Sequence, residues 1–269
     1  MFSLGSVYYN LANDTDSFYL RGSLLFFAIL MNTFSSALEV NTYLNLYSLR
    51  LTLRYIQILT LYAQRPIVEK HRKFALYHPV AEALSSMICG LPLKVLVAIL
   101  FNLTLYFMSD LRRDPGAFFT FVLFLFFATL TMSSVFHTIA AVSRTLAEAM
   151  APSAMFILML IIYTGFAIPT SNMKPWFRWM NYLNPVAYAF ESLMINEFHN
   201  RDFPCSVFIP NGSGYENAIG LERTCSTTGS VAGSSFVNGD DYINQSFKYY
   251  AQHKWRCERC IDYFSSPIY

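Results

Sequence analysis

The stretch PGAFFTFVLFLFFATLTMSSVFHTIAAVS, from Pro115 to Ser143, runs for 29 residues without a single Asp, Glu, Lys or Arg. A helix rises about 1.5 Å per residue and the hydrocarbon core of a bilayer is about 30 Å thick, so this stretch is longer than one crossing needs. The sequence therefore predicts a membrane-spanning helix over residues 117–141, tilted or emerging from the membrane at one end.

Three further apolar stretches lie on either side of this one. They predict spans over residues 22–39, 88–108 and 149–169. The second of them contains Pro92, which is expected to kink it, and Lys94, whose amine is expected to reach the headgroups along its aliphatic stem. The predicted fold is all-α: a polytopic membrane protein with about four transmembrane helices and an extracellular loop domain with short helices.

The composition supports this class of protein. Hydrophobic residues make up 54% of the chain and charged residues 13%, whereas a soluble domain carries about 25% charged residues. So few charges could not cover a water-facing surface, and the lipid bilayer is the expected partner. The net charge of +2 is small and the basic residues form no stripe, so no nucleic-acid partner is expected.

The distribution of basic residues predicts the orientation of the chain. The connection between the first two spans holds six of them, against only two acidic residues: Arg50, Arg54, Arg65, Lys70, Arg72 and Lys73. Because cytoplasmic loops are rich in Lys and Arg, this connection is expected inside, and residues 1–20 and the region after 174 outside. A multi-pass protein of the plasma membrane is predicted.

Two features of the predicted outer side agree with this orientation. Three glycosylation sequons fall there, at Asn13, Asn211 and Asn244. Cys205 and Cys225 also lie there, where disulfides persist, so a bridge between them is one interpretation and unpaired or differently paired cysteines are the other.

The chain changes character after the fourth span. Residues 1–173 are predicted to hold the transmembrane helices, 174–256 an extracellular loop region, and 257–269 an atypical tail. At the start of the loop region four aromatic residues look like an interfacial belt: Trp176, Phe177, Trp179 and Tyr182. The following stretch, Tyr182 to Phe198, contains Glu191 and Glu197 and is predicted to be a re-entrant amphipathic helix.

Motifs for catalysis are absent from the sequence. No Gly precedes any Lys, so there is no phosphate-binding G-K-[S/T], and no H-E-x-x-H or G-x-S-x-G occurs. Cys257 and Cys260 form one C-x-x-C without a second pair, and no metal site is expected. The chain is therefore not expected to hydrolyse ATP by itself.

Polar and aromatic residues cluster within two of the spans. Residues 32–36 (NTFSS) form one cluster and residues 163–166 (YTGF) the other. Small and hydroxylated residues at such positions favour packing between helices. The alternative interpretation is a cavity lined by aromatic and polar groups, suited to apolar ligands.

Several strings in the chain resemble the fungal pleiotropic drug resistance transporters, which belong to the G-type group of ABC transporters. QRPIVEKHRKFAL (64–76) resembles their first cytoplasmic loop, and YTGFAIP (163–169) and NPVAYAFESLMINEFHNRDFPC (184–205) match further along. The resemblance covers residues 4–39 and 58–256 and is strongest to the first transmembrane half of such proteins.

The resemblance implies an ATP-driven exporter of hydrophobic or xenobiotic small molecules or lipids. Its partners would be a nucleotide-binding domain, which would carry ATP and Mg, and a second transmembrane half. A coupling loop would fall at Glu69, Lys70, His71, Arg72 and Lys73. A substrate cavity would be lined from the first and fourth spans by these candidates: Phe27, Asn32, Phe34, Tyr163, Thr164 and Phe166.

Two segments depart from the family pattern. Residues 40–57 (VNTYLNLYSLRLTLRYIQ) interrupt it and are read as an insertion from an unspliced intron, and residues 257–269 (CERCIDYFSSPIY) replace the expected continuation. A first and a sixth helix and a nucleotide-binding domain are missing from the pattern. A truncated, nonfunctional pump fragment, a channel-like or receptor-like protein and a membrane enzyme remain alternative hypotheses.

Overall fold

A computed structural model describes residues 2–37, 57–75, 77–170, 172–211 and 220–255. Nine α-helices lie in these ranges: α1 (Phe2–Val7), α2 (Ser17–Ala37), α3 (Gln57–Lys73), α4 (Pro79–Met108), α5 (Pro115–Val142), α6 (Leu146–Ile162), α7 (Arg178–Leu183), α8 (Pro185–Phe198) and α9 (Gly239–Phe247). Four short strands accompany them: β1 (Asp202–Pro204), β2 (Phe208–Ile209), β3 (Thr224–Cys225) and β4 (Phe236–Asn238). The predicted all-α class is confirmed.

Helix α5 is the central element of the bundle. It packs against α2, α3, α4, α6 and α8. Its buried side chains recur at helical spacing along its length, among them Phe121, Phe124, Ala128, Met132 and Phe136. Because Pro115 occupies the first turn, where its missing N–H costs little, the helix begins two residues before the predicted span.

Helix α4 begins nine residues before the predicted start at residue 88. His78 provides the physical reason, because its ring accepts a hydrogen bond from the backbone N–H of Val80 and Pro79 occupies the first turn. The helix continues without a break through Pro92. Lys94 donates to Ser133 Oγ at 2.6 Å, so this ammonium contacts α5 rather than extending along α4 to the headgroups as predicted.

Helix α6 ends seven residues before the predicted end of the fourth span. Its start carries a capping box between Thr145 and Glu148. At its end, two backbone carbonyls accept hydrogen bonds from side-chain amides. Asn184 donates to the carbonyl of Leu160 and Asn181 to that of Tyr163. Gly165 then adopts a φ of 99°, a conformation that side chains rarely reach, and the helix cannot continue.

Within the described residues, two helical segments are long and apolar enough to cross a membrane. They are Gly90–Met108 and Pro115–Val142, and Ala147–Ile162 is a shorter apolar helix. Helix α2 has 21 residues, or about 32 Å of length, with Arg21 and several polar side chains along it.

The region after α8 folds into a compact unit that we call the β-strand module (residues 199–211 and 220–255). Strand β1 pairs antiparallel with β4, and β2 with β3. A disulfide joins Cys205 to Cys225, whose Cα atoms lie 5.8 Å apart. The module packs on the start of α2 through a cluster of rings: Phe18 lies 4.8 Å from Phe203 and 4.4 Å from Tyr242 between ring centroids.

The predicted amphipathic helix over Tyr182–Phe198 is wrong in two respects. The stretch is broken at Asn184, whose side chain accepts from the N–H groups of Val186 and Ala187 and so starts a new helix. Helix α8 is also buried on almost every side, because α2, α5 and α9 surround it. Glu197 therefore lies inside the protein and does not mark a polar outer face.

Gly239, at the start of α9, lies against the backbone at the end of α8. A Cβ there would collide with the carbonyl oxygen of Phe198 and lie 3.2 Å from that of Arg201. Gly239→Ala should lower the free energy of unfolding by about 1–3 kcal/mol, the usual cost of overpacking. Gly116→Ala is the matched control, because nothing lies within 4 Å of that position. Both variants are heated in detergent, and the temperature at which half of the folded protein is lost is measured. Equal temperatures for the two variants would contradict the prediction.

Candidate substrate-pathway face and its ionic anchor

An aromatic cluster joins the start of α2 to the segment after α6. The ring of Phe166 stacks on Phe26 at 4.9 Å and on Tyr19 at 5.7 Å, and meets Phe190 of α8 edge-on at 5.6 Å. Gly22 faces this ring, and a Cβ there would lie 3.4 Å from it, at ordinary van der Waals distance. Phe166 is half-buried, so part of its side chain remains accessible.

Helix α2 also presents an exposed apolar stripe, whose Phe27 ring contacts Phe26 of this cluster at 5.7 Å. Leu20, Phe27 and Met31 are exposed and lie seven and four residues apart, which places them on one side of a helix. The opposite side of α2 packs on α5 and α8. We call this exposed stripe together with Phe166 the pathway face.

The structure divides the predicted cavity residues into two groups. Phe27 and Phe166 belong to the pathway face. Thr164 is fully buried and its hydroxyl donates to the carbonyl of Leu160, so it does not reach that face. Asn32 is buried as well and donates to Asn102 Oδ1 at 3.1 Å, which ties α2 to α4.

The remaining two candidates have other positions. Tyr163 is half-buried and its ring lies 6.1 Å from that of Phe177. The position of Phe34 falls in α2, but its side chain lies outside the described part of the structure.

A buried ionic cluster fastens α2 to the β-strand module, and we call it the ionic anchor. Arg21 donates to Glu197 Oε1 at 2.6 Å, and Arg201 donates to the same oxygen at 2.5 Å. The second carboxylate oxygen accepts the backbone N–H of Arg112, in the α4–α5 connection, at 3.2 Å. Three separate parts of the chain therefore meet at one carboxylate.

Arg21 is held on every side. Besides Glu197 it donates to Ser17 Oγ, to the carbonyls of Leu11 and Ala12, and to Asn13 Oδ1 at 2.7 Å. Its side chain has no exposed surface. Burial of a charge is tolerated because each of the three guanidinium nitrogens finds an acceptor.

The electrostatics of Glu197 reflect two opposed causes. Burial raises the pKa of the Glu197 carboxyl, because desolvation penalises the charged form. The guanidinium groups of Arg21 and Arg201 and the N–H of Arg112 act in the opposite direction. The geometry, with three donors on two oxygens, is that of an ionised carboxylate.

The opposite end of the bundle is organised by Arg65 of α3. Its guanidinium donates to the carbonyls of Ser143 and Arg144 at 3.0 Å and to those of Ala140 and Ala141 at 3.3 Å. These carbonyls close α5, where a cation also suits the helix dipole. Helix α3 is thus tied to the connection between α5 and α6.

The predicted coupling residues lie in the last turn of α3. Glu69, Lys70, Arg72 and Lys73 are exposed. His71 differs from them, because its Nδ1 lies 2.8 Å from the hydroxyl of Tyr77 and so closes the turn between α3 and α4.

The predicted sequons lie in three different environments. The side-chain oxygen Oδ1 of Asn13 accepts from both Arg21 and Arg201, so this side chain belongs to the ionic anchor. Asn211 is exposed, and Asn244 is half-buried within α9. Among the residues that the structure describes, no group of three His, Cys, Asp or Glu could hold a metal ion.

Sequence reasoning missed the residues that hold the site together. Arg21 stands alone at the edge of an apolar stretch and Glu197 near the end of another, and two such opposite charges are the pattern that could have indicated a pair. Asn102, within the second predicted span, proves to be the partner of Asn32. Arg65 counted only as one of six basic residues.

These features define a helical, polytopic membrane protein with an apolar face beside its second helix and a disulfide-bonded module at one end. Comparison with known protein families shows which family this membrane protein belongs to. Residues 51–198 match the ABC-2 type transporter family and residues 209–261 match the CDR ABC transporter family. The chain belongs to the ABC-2 type transporter family.

Several curated relatives are fungal proteins named as multidrug transporters. The chain is 59% identical over 255 residues to ABC multidrug transporter C of Aspergillus fumigatus and to ABC multidrug transporter atrG of Aspergillus oryzae. It is 55% identical over 253 residues to ABC multidrug transporter MDR3 of Trichophyton rubrum. Each match covers 94% of this chain and 16% of the relative, so the chain spans about a sixth of their length.

The family matches also bear on the two departing segments. The ABC-2 match begins at residue 51, within the predicted insertion 40–57, and the CDR match ends at residue 261, within the predicted atypical tail 257–269. Residues 40–56 and 256–269 lie outside the described part of the structure. The intron interpretation stays a prediction.

Proposed function

We propose that this chain forms the substrate pathway of an ATP-driven exporter of hydrophobic or xenobiotic small molecules or lipids. The observation that carries the proposal is the pathway face, an apolar and aromatic surface that α2 leaves uncovered between the two ends of the bundle. Such a surface suits ligands that partition into membranes. The names of the relatives agree with a drug-exporting role.

In this proposal four helices, α2, α4, α5 and α6, cross the plasma membrane. A second transmembrane half closes the pathway face from the other side. ATP and Mg are held by a nucleotide-binding domain that presses on the last turn of α3, where four charged side chains are exposed. The contacts of Arg65 transmit this motion to the end of α5 and the start of α6.

Phe166→Ala tests the pathway face. The variant is made in ABC multidrug transporter C of Aspergillus fumigatus whose matching segment is exchanged for residues 58–255 of this chain. Loss of the ring removes apolar contact area beside Phe26, and a large ligand covers more of that area than a small one. Export of a large fluorescent hydrophobic dye should therefore fall several-fold relative to export of a small azole-type compound. Efflux from preloaded cells and drug-stimulated ATP hydrolysis in membranes are the measurements.

Phe119→Ala is the matched control, because Phe119 is 70% exposed and belongs to a different helix, α5. It makes the same chemical change and should leave the ratio of the two efflux rates where it was. An exchanged transporter that reaches the membrane and hydrolyses ATP, yet shows the same ratio in both variants, would contradict the assignment of Phe166.

A further inference from the structure

A second surface lies after α6 and faces away from the protein. Every residue from 174 to 179 (KPWFRW) is exposed, and within α7 no residue is buried. Trp176 is the most exposed of these rings at 71%, and Tyr182 and Leu183 extend the surface along α7. We call residues 174–183 the aromatic–basic segment.

The position of this segment follows from the length of α6. The helix has 17 residues and therefore rises about 26 Å from Leu146. It starts at the basic end of the bundle, beside Arg65, so its far end reaches the opposite boundary of a hydrocarbon core about 30 Å thick. A ring contact of 6.1 Å between Tyr163 and Phe177 holds the segment to that end of the helix.

The chemistry of the segment is that of a membrane interface. Tryptophan rings are apolar but carry one N–H donor, and they concentrate where acyl chains meet headgroups. Lys174 and Arg178 add two cations to the same surface, and no carboxylate of the described part of the chain forms an ion pair with either of them. Ammonium and guanidinium groups with free donors are suited to phosphate oxygens.

The surface of α6 leads directly into this segment. Met155, Leu158 and Ile162 are exposed and lie three and four residues apart, so they form one apolar stripe that ends next to Tyr163. An apolar stripe, followed by a segment in which aromatic rings and cations alternate, suits first the acyl chains and then the glycerol and phosphate region of one lipid leaflet.

We propose that the aromatic–basic segment binds phospholipids, with Lys174 and Arg178 on their phosphates and the two tryptophans at the glycerol level. The lipids belong to the leaflet on the side of the β-strand module. This interaction fixes the depth of the end of α6, next to the ring of Phe166. The inference rests on the proposed crossing of the membrane by α6 and not on transport.

The chain carries its own probes for a test, because its three tryptophans are Trp176, Trp179 and Trp255. The full chain is reconstituted into phosphatidylcholine vesicles that contain lipids brominated either near the carbonyl or near the end of the acyl chain. In the Trp255→Phe variant, the emission of the remaining pair should be quenched several-fold more by the shallow bromines than by the deep ones. The variant lacking both other tryptophans reports Trp255, whose ring contacts Phe124 at 5.7 Å, as the reference.

The two cations are tested by lipid selectivity in the Trp255→Phe background. Brominated phosphatidylglycerol should quench the tryptophan pair more strongly than brominated phosphatidylcholine at equal fraction, because basic residues near the surface attract anionic headgroups. Lys174→Gln with Arg178→Gln should abolish this preference. Arg113→Gln with Lys248→Gln removes the same charge from exposed positions elsewhere and should retain it.

Three results would overturn the proposal. Quenching by aqueous iodide without quenching by any brominated lipid would place the segment in water. Protection from both, with cross-links between chains at residue 176, would make it an interface with a second copy. Lipid quenching that is unchanged in the double charge variant would remove the phosphate assignment. None of these results depends on export, so each is distinct from a failure of the proposed function.

Discussion

Replacing Arg21 by Met should remove about 3–5 kcal/mol from the free energy of unfolding, the usual cost of breaking a buried ion pair from one side. The change deprives Glu197 of its 2.6 Å partner and leaves the carbonyls of Leu11 and Ala12 without their donor. In a chain of this size each kcal/mol shifts the melting temperature by roughly 2–4 °C, so a decrease of about 10 °C is expected. The folded fraction that survives heating in detergent, resolved by size-exclusion chromatography, is the measurement.

Arg113→Met is the matched control for this prediction. Arg113 also pairs with a carboxylate, Asp110 at 2.7 Å, but its side chain is 77% exposed, whereas that of Arg21 has no exposed surface. Exposed ion pairs contribute about 0–1 kcal/mol, so this variant should unfold close to the unmodified chain. Similar midpoints for the two variants would show that the ionic anchor does not hold α2 to the β-strand module.

Cys205→Ser should lower the free energy of unfolding of the β-strand module by about 3 kcal/mol, because the bridge restricts the conformations of the unfolded chain between the two cysteines. The two cysteines are separated by 20 residues. We expect faster cleavage by trypsin within the module, where Lys248 is exposed, while the helical bundle resists longer. Mass spectrometry of the fragments over time measures both rates.

The double variant Cys205→Ser, Cys225→Ser provides the control. Because either single change already removes the bridge, the double variant should be cleaved no faster than the single ones. The unmodified chain treated with a reductant should match them. Equal cleavage of oxidised and reduced chain would contradict a stabilising role for this disulfide.

The sequence predicted the apolar helices well where composition alone decides them. The span at 117–141 lies within α5, which extends two residues before it and one after it. The errors fall where a local side chain sets the boundary. His78 and Pro79 extend α4 at its start, and Gly165 ends α6 early, because caps and a positive φ override apolar composition.

The candidate site was harder to predict, because its decisive contacts join distant parts of the chain. Arg21 and Glu197 lie 176 residues apart, and neither belongs to a local pattern. Helix α8 appeared amphipathic only because the residues that bury it come from α2, α5 and α9. Phe27 and Phe166 remain candidates that the family resemblance suggested. The burial of Asn32 and Thr164 depends on contacts that the spacing of apolar residues in one sequence does not predict.

In the proposed function the helices cross a bilayer and hold the last turn of α3 and the β-strand module on opposite faces of the membrane. Its most direct test uses a chain in which Cys89, Cys257 and Cys260 are replaced by Ser, with one new cysteine at exposed Arg72 or exposed Ala232. A membrane-impermeant maleimide is applied to intact cells. We predict labelling of Ala232→Cys at once and of Arg72→Cys only after the membrane is permeabilised. Labelling of both positions from the same side of the membrane would contradict this placement of α3 and the β-strand module.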